Sequence, residues 1–71
     1  MKYTVIIEKG NTSFGAFVPD LPGCIAAGKT KKEALELIRE AIDFHIEGLK
    51  EEGKPIPKPF CEFTQVEIKA A

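Results

Sequence analysis

Seventy-one residues with ten basic and eleven acidic side chains make a small, nearly neutral chain, and at this size folding removes only about 60% of the surface that the unfolded chain exposes. Balanced charge leaves no electrostatic footprint for nonspecific nucleic-acid binding, two cysteines are too few for a disulfide scaffold, and no stretch approaches the roughly 20 apolar residues of a membrane span. A core this small, without disulfides or an evident metal, gains stability by association, so the expectation is a single domain over residues 1–71, at least dimeric and cytoplasmic, with no cofactor.

Met1-Lys2-Tyr3-Thr4 has no apolar signal core and leads straight into a strand pattern. Over residues 2 to 9, Tyr3, Val5 and Ile7 alternate with Lys2, Thr4 and Glu8, with Ile6 breaking the polar side. Gly10-Asn11-Thr12-Ser13 is a turn cluster, and Phe14 to Val18 is the second strand of a hairpin. Pro19-Asp20-Leu21-Pro22-Gly23-Cys24 must be a tight connection, because its prolines fix φ and remove two donors while Gly23 permits a positive φ. Cys24 to Ala27 then makes a short third strand, closed by Gly28 and Lys29.

Thr30-Lys31-Lys32-Glu33 has the capping-box spacing, which starts a helix. At 100° per residue, Ala34, Leu35, Leu37, Ile38, Ala41, Ile42, Phe44, His45, Ile46 and Leu49 cover an arc of roughly 200°. Glu36, Arg39, Glu40, Asp43, Glu47 and Lys50 fill a polar face that reads as solvated. Gly53 suits the left-handed residue that ends a helix, and Pro55 blocks a restart. Residues 60 to 69 alternate again and predict a fourth strand.

The expected architecture is therefore α+β with element order β-β-β-α-β, sheet order 3-2-1-4 with a right-handed crossover, and one helix on one face. The other sheet face is expected to carry Ile6, Phe17 and Phe63 with Thr4, Gly15 and Gln65, and an exposed apolar cluster of this kind marks a protein interface.

The residues that could carry chemistry do not assemble into a site. His45 is the sole histidine and lies within the helix's apolar arc, where it lacks the further ligands of a metal site and reads as structural. Cys24 or Cys61 could be imagined as a nucleophile beside His45, but no third group orients such a pair, and free cysteine is commonly a small core residue. A bridge between them is not expected, since the edges of a four-stranded sheet stand about 14 Å apart. Three antiparallel strands, a helix and a strand is the order of the ribonuclease H core, whose chemistry needs carboxylates converging on two metals. Here Asp20 lies in a loop, and Glu36, Glu40, Asp43 and Glu47 lie on the outer helix face. No phosphate-cradling glycine loop or basic-aromatic alternation occurs.

Phe17-Val18-Pro19-Asp20-Leu21-Pro22-Gly23-Cys24, followed by Gly28, Thr30, Glu33-Ala34 and Glu40-Ala41 and by the Glu52-Gly53-x-Pro55-x-Pro57 ending, resembles the HicB-type antitoxin domain over nearly the whole chain. The resemblance implies a partly degenerate ribonuclease H-like fold that has lost its catalytic carboxylates. It further implies a noncatalytic protein that neutralises a small basic ribonuclease toxin, of double-stranded-RNA-binding fold with a catalytic histidine, by covering the surface that cleaves messenger RNA. Many such antitoxins carry a C-terminal DNA-binding segment; with Ala71 as the last residue, promoter binding is not expected of this chain. The alternatives are an orphan oligomeric structural or ligand-binding module of the same fold, and a residual metal-dependent nuclease that would need Asp20 or His45.

Overall fold

The computed structural model describes residues 1–70. Three short strands, β1 (Ile6–Lys9), β2 (Phe14–Phe17) and β3 (Ile25–Gly28), precede one long helix, α1 (Lys31–Glu51). The sheet is antiparallel throughout with order β1-β2-β3, so the first three positions of the expected sheet stand in their expected neighbourhood.

Both strand connections follow from local chemistry. Gly10 donates its N–H to the Ser13 carbonyl at 2.8 Å and closes the first hairpin. The second connection is two consecutive turns: Leu21 donates to Val18 at 3.1 Å, Cys24 donates to Leu21 at 3.0 Å, and Val18 donates across the mouth to Cys24 at 3.2 Å. Each turn has proline at its second position, and Gly23 at φ 84° takes the third position of the latter, which is the positive-φ residue of a type II turn.

Thr30 caps α1 as its spacing requires, its Oγ1 accepting from the Glu33 N–H at 3.0 Å. The Glu33 side chain reaches back one residue further than in the usual box, and its Oε1 accepts from the Lys29 N–H at 3.0 Å. At the other end Gly53 (φ 69°) donates to Lys50 at 3.1 Å and Lys54 donates to Leu49 at 2.9 Å, which is the Schellman arrangement.

Successive strand residues face opposite ways. Ile7, Ala16 and Ala26 are cross-strand partners, as are Lys9, Phe14 and Gly28. This inner face packs under α1: Ala16, Val18, Leu21, Cys24, Ala34 and Ile38 are buried, with Tyr3, Val5, Ile7, Phe14, Ala26, Ala41 and Ile42 packed around them. Gly28 lets the helix start come very close, because a Cβ there would stand 2.7 Å from the Ala34 nitrogen and 3.0 Å from the Glu33 side chain.

Two expectations are corrected. The buried stripe of α1 is narrower than the apolar arc: Phe44 is 83% exposed, and Leu35 and Leu37 are also exposed. A 21-residue helix is about 31 Å long, whereas a four-residue strand covers only about 13 Å, so the sheet shelters little beyond the first half of the helix. The fourth strand is absent among the described residues: residues 54–70 carry no strand pairing, and sheet position 4 beside β1 is vacant. Alternation marks a segment as able to pair; it does not bring that segment to an edge.

A candidate protein-interaction site

The sheet face away from α1 is open. Register places Ile6, Phe17 and Ile25 directly opposite one another across all three strands, with Glu8, Gly15 and Ala27 as the next row on the same face. Ile6 and Phe17 are half-buried by each other and by their neighbours, and Ile25 is 71% exposed. Because Gly15 contributes no side chain, a shallow groove runs between Glu8, Phe17 and Ile25. Thus two of the three expected anchors, Ile6 and Phe17, share this face. Phe63 does not: it lies in the unpaired C-terminal segment and is 76% exposed. Gln65 lies in that same segment and is likewise off the sheet. Ile25 takes the third place on the sheet, and the hairpin alternation that selected Phe17 could have found it.

A second feature joins the Pro-Asp-Leu-Pro-Gly-Cys connection to the C-terminal segment. Asp20 is buried, and its Oδ2 accepts from the N–H groups of Phe60 and Cys61, both at 3.2 Å. Thr4 donates its hydroxyl to the Cys61 carbonyl at 2.9 Å, and the Tyr3 hydroxyl donates to the Pro57 carbonyl. Proline supplies no donor, so the segment Pro57–Cys61 is held chiefly through its carbonyls and the two N–H groups that Asp20 receives. The Cys61 thiol approaches the same carboxylate as a weak donor, short of regular hydrogen-bond geometry, and the buried Oδ1 has no hydrogen-bond partner among the described residues.

These contacts set the protonation of the group. The Cys61 thiol, followed by the two backbone donors, holds the Asp20 carboxyl below its ordinary range against the opposing effect of desolvation. Reciprocally, the close approach to the Asp20 carboxylate, then burial and the carboxylate's charge, push the Cys61 thiol up. Burial, with the Asp20 charge behind it, also raises the Tyr3 hydroxyl. Burial alone raises the Cys24 thiol. Both cysteines are free thiols, and such shifts keep them protonated and poorly nucleophilic.

Asp20, which was expected simply to occupy a loop, is therefore a latch. The remaining candidates for chemistry stay apart. His45 is half-buried on α1, while Glu36, Glu40, Asp43 and Glu47 are exposed along that helix. Among the described residues no three His, Cys, Asp or Glu side chains come together as a metal site would need.

Comparison with known proteins gives the fold a family. Residues 3–68 match the sequence profile of the HicB-like antitoxin of bacterial toxin-antitoxin systems. The chain belongs to the HicB-like antitoxin family. A UPF0150 protein of Thermoplasma acidophilum is 52% identical over 63 residues, which cover 87% of this chain and 91% of that protein. An uncharacterized 14.9 kDa protein of Haemophilus phage HP1 is 48% identical over 58 residues, 82% of this chain; the present chain spans less than half of it, 44%. Antitoxin HicB 2 of Photorhabdus laumondii is 30% identical over 59 residues, covering 83% of this chain and 42% of that protein.

Solved structures carry the same fold. The N-terminal domain of the Burkholderia pseudomallei antitoxin HicB superposes with a TM-score of 0.74 at 34% identity, covering 94% of this chain and 74% of that one. A chain of a HicA3 and HicB3 toxin-antitoxin complex gives 0.71 at 37% identity, covering 84% and 70%. Within this HicB-like frame the motif residues have structural tasks: Leu21 is fully buried, Pro19, Pro22 and Gly23 shape the double turn, Cys24 fills the core, Gly28 admits the helix, and Thr30, Glu33 and Ala34 start it.

Proposed function

We propose that this chain is the antitoxin of a type II toxin-antitoxin pair: a noncatalytic domain that neutralises a small messenger-RNA-cleaving ribonuclease by covering its active surface. The observation that carries the reading is the open Ile6–Phe17–Ile25 row on a HicB-like fold. An apolar row left uncovered beside an otherwise packed sheet marks a surface used for binding, and the scattered carboxylates supply no alternative in catalysis. Membership of the antitoxin family and likeness to a chain from a toxin-antitoxin complex support the same reading.

On this reading residues 1–71 act as one domain, a degenerate ribonuclease H-like unit working in the cytoplasm as a homodimer or larger homo-oligomer, with no direct nucleic-acid contact. Ile6 and Phe17, joined by Ile25, anchor the toxin at the sheet face, and Phe63 contributes from the C-terminal segment. The test is recovery of the tagged chain from its native cells, followed by identification of any small basic protein that co-purifies and measurement of its RNA cleavage with and without the antitoxin. A central aromatic anchor is worth about 2 kcal/mol or more, so Phe17→Asp is expected to weaken the complex about 30-fold or more and to release RNA cleavage. Full inhibition by the folded variant removes this face from the proposal, and a homo-oligomer recovered without any partner favours the orphan module.

A further inference from the structure

We infer that residues 62–69 are an exchanged arm: in a dimer of this chain, each arm adds as a strand to the unpaired edge of β1 in the other copy. The inference builds on the homo-oligomer reading above and is independent of any toxin.

The shape of the chain is the first argument. A compact chain of this length has a radius of gyration of about 11 Å, whereas this one has 14.2 Å and a longest dimension of 52 Å. The helix accounts for only about 31 Å of that length. From Glu62 to Ala70 every residue is exposed, and none makes a hydrogen bond to any other described residue. Nine residues at about 3.3 Å each reach about 30 Å, enough to cross to a neighbouring molecule.

The composition of the arm is the second. Solvated tails are poor in β-branched and aromatic residues. This one alternates Thr64, Val66 and Ile68 with Gln65, Glu67 and Lys69, follows Phe63, and contains neither glycine nor proline. That is a half-buried strand by periodicity and by residue type, yet Phe63, Val66 and Ile68 are each about three-quarters exposed, at 76%, 74% and 74%.

The acceptor is on the same chain. Among the described residues β1 bonds β2 on one side and nothing on the other, and bare edges of this kind recruit strands. The latch of Tyr3, Thr4 and Asp20 fixes Pro57–Cys61 beside the segment that leads into β1, so the arm departs from the β1 side of the sheet. A two-fold axis on that side brings each arm to the other copy's β1, which closes the pair with two identical contacts and leaves no free site for further growth. Charge is complementary as well: the arm carries Glu62, Glu67 and Lys69, and the receiving segment carries Lys2, Glu8 and Lys9.

Light scattering on the intact protein is expected to give twice the chain mass of 7.8 kDa, and hydrogen exchange is expected to show the amides of residues 63–69 slowed at least about 100-fold relative to an unstructured peptide. In a mixture of differently labelled copies, intermolecular NMR contacts join the arm to β1. Val66→Pro, which removes a ladder donor in an exposed segment, is expected to halve the mass while the helical circular dichroism is kept. A monomer with slowed arm amides means that the arm folds onto its own β1, and a dimer whose arm amides exchange freely is held by another surface. Either result overturns the exchange, the second while leaving the dimer itself intact.

Discussion

Gly28 is the position where the approach of helix and sheet can be tested with one methyl group. It sits at the end of β3, two residues before the Thr30 cap, and is buried. The Cβ of Gly28→Ala would meet the backbone nitrogen of Ala34 at 2.7 Å and the Cβ and Cγ of Glu33 at 3.0 Å each. Ordinary contact for such atoms begins near 3.4 Å, so the first turn of α1 must retreat by several tenths of an ångström. The nearest obstacle is backbone held by the Thr30 cap, not the flexible end of a side chain. Overpacking of this kind costs about 1–3 kcal/mol, and Gly28 has no positive φ to forfeit, so the lower unfolded-state entropy of alanine returns roughly 0.5–1 kcal/mol. The net loss is then about 0–2.5 kcal/mol, whose upper part is large against the roughly 4–11 kcal/mol expected for a domain of this length. In this size range it corresponds to a melting temperature lower by up to about 20 °C. Thermal melts followed at 222 nm, together with urea midpoints at unchanged m, measure it; in both, wild type and variant must be compared at the same protein concentration if the chain associates. A higher melting temperature for Gly28→Ala would falsify the claim that close approach dictates glycine here.

The latch makes a prediction about pH. Because the folded Asp20 carboxyl lies below its ordinary value, its contribution is fully present above about pH 3.9 and is lost as pH falls through the lower folded value. Asp20→Asn keeps an acceptor for the Phe60 and Cys61 N–H groups but removes the charge, so the stability gap between wild type and variant should be widest near neutrality and close on acidification. The variant should also alkylate Cys61 faster at mildly alkaline pH, since the close carboxylate contact and charge that raise the thiol are weakened; a pH-independent gap with unchanged alkylation would dismiss the latch. At the helix start, Thr30→Ala leaves the Glu33 N–H without its 3.0 Å acceptor, and urea denaturation should register a loss of about 1 kcal/mol; no measurable change would mean that the cap is redundant with the Glu33–Lys29 contact.

What could be read from the chain, and what could not, divides by the distance over which the cause acts. The Thr30 cap, the Gly53 stop and the double turn around Gly23 each depend on a few neighbouring residues, and each is found where the residues require it. The pairing of Ile6 with Phe17 needs only hairpin register, which strand alternation supplies. Asp20 is the loop residue that its place between two prolines requires; what also makes it a buried latch is a pair of peptide N–H groups 40 and 41 residues away, and backbone donors leave no mark in a sequence. The exposure of Phe44 is hidden for a related reason, since periodicity shows which side of a helix is apolar but not how far the sheet beneath it extends.

The C-terminal strand is the most instructive failure. Its alternation stands in the sequence, yet the chain leaves it unpaired although its own β1 edge is bare, and the facts are compatible if the pattern serves that same edge on a second copy. A strand is a statement about two segments, and a sequence records only one of them directly. The same holds for the Ile6–Phe17–Ile25 row, which buries nothing of this chain's own. Exchange of the arm and occupation of the row are then separable requirements. If Phe17→Asp disturbs partner binding while the arm amides stay slow to exchange, dimer and toxin surfaces are distinct; loss of both together would mean that the exchanged arm builds part of the binding face.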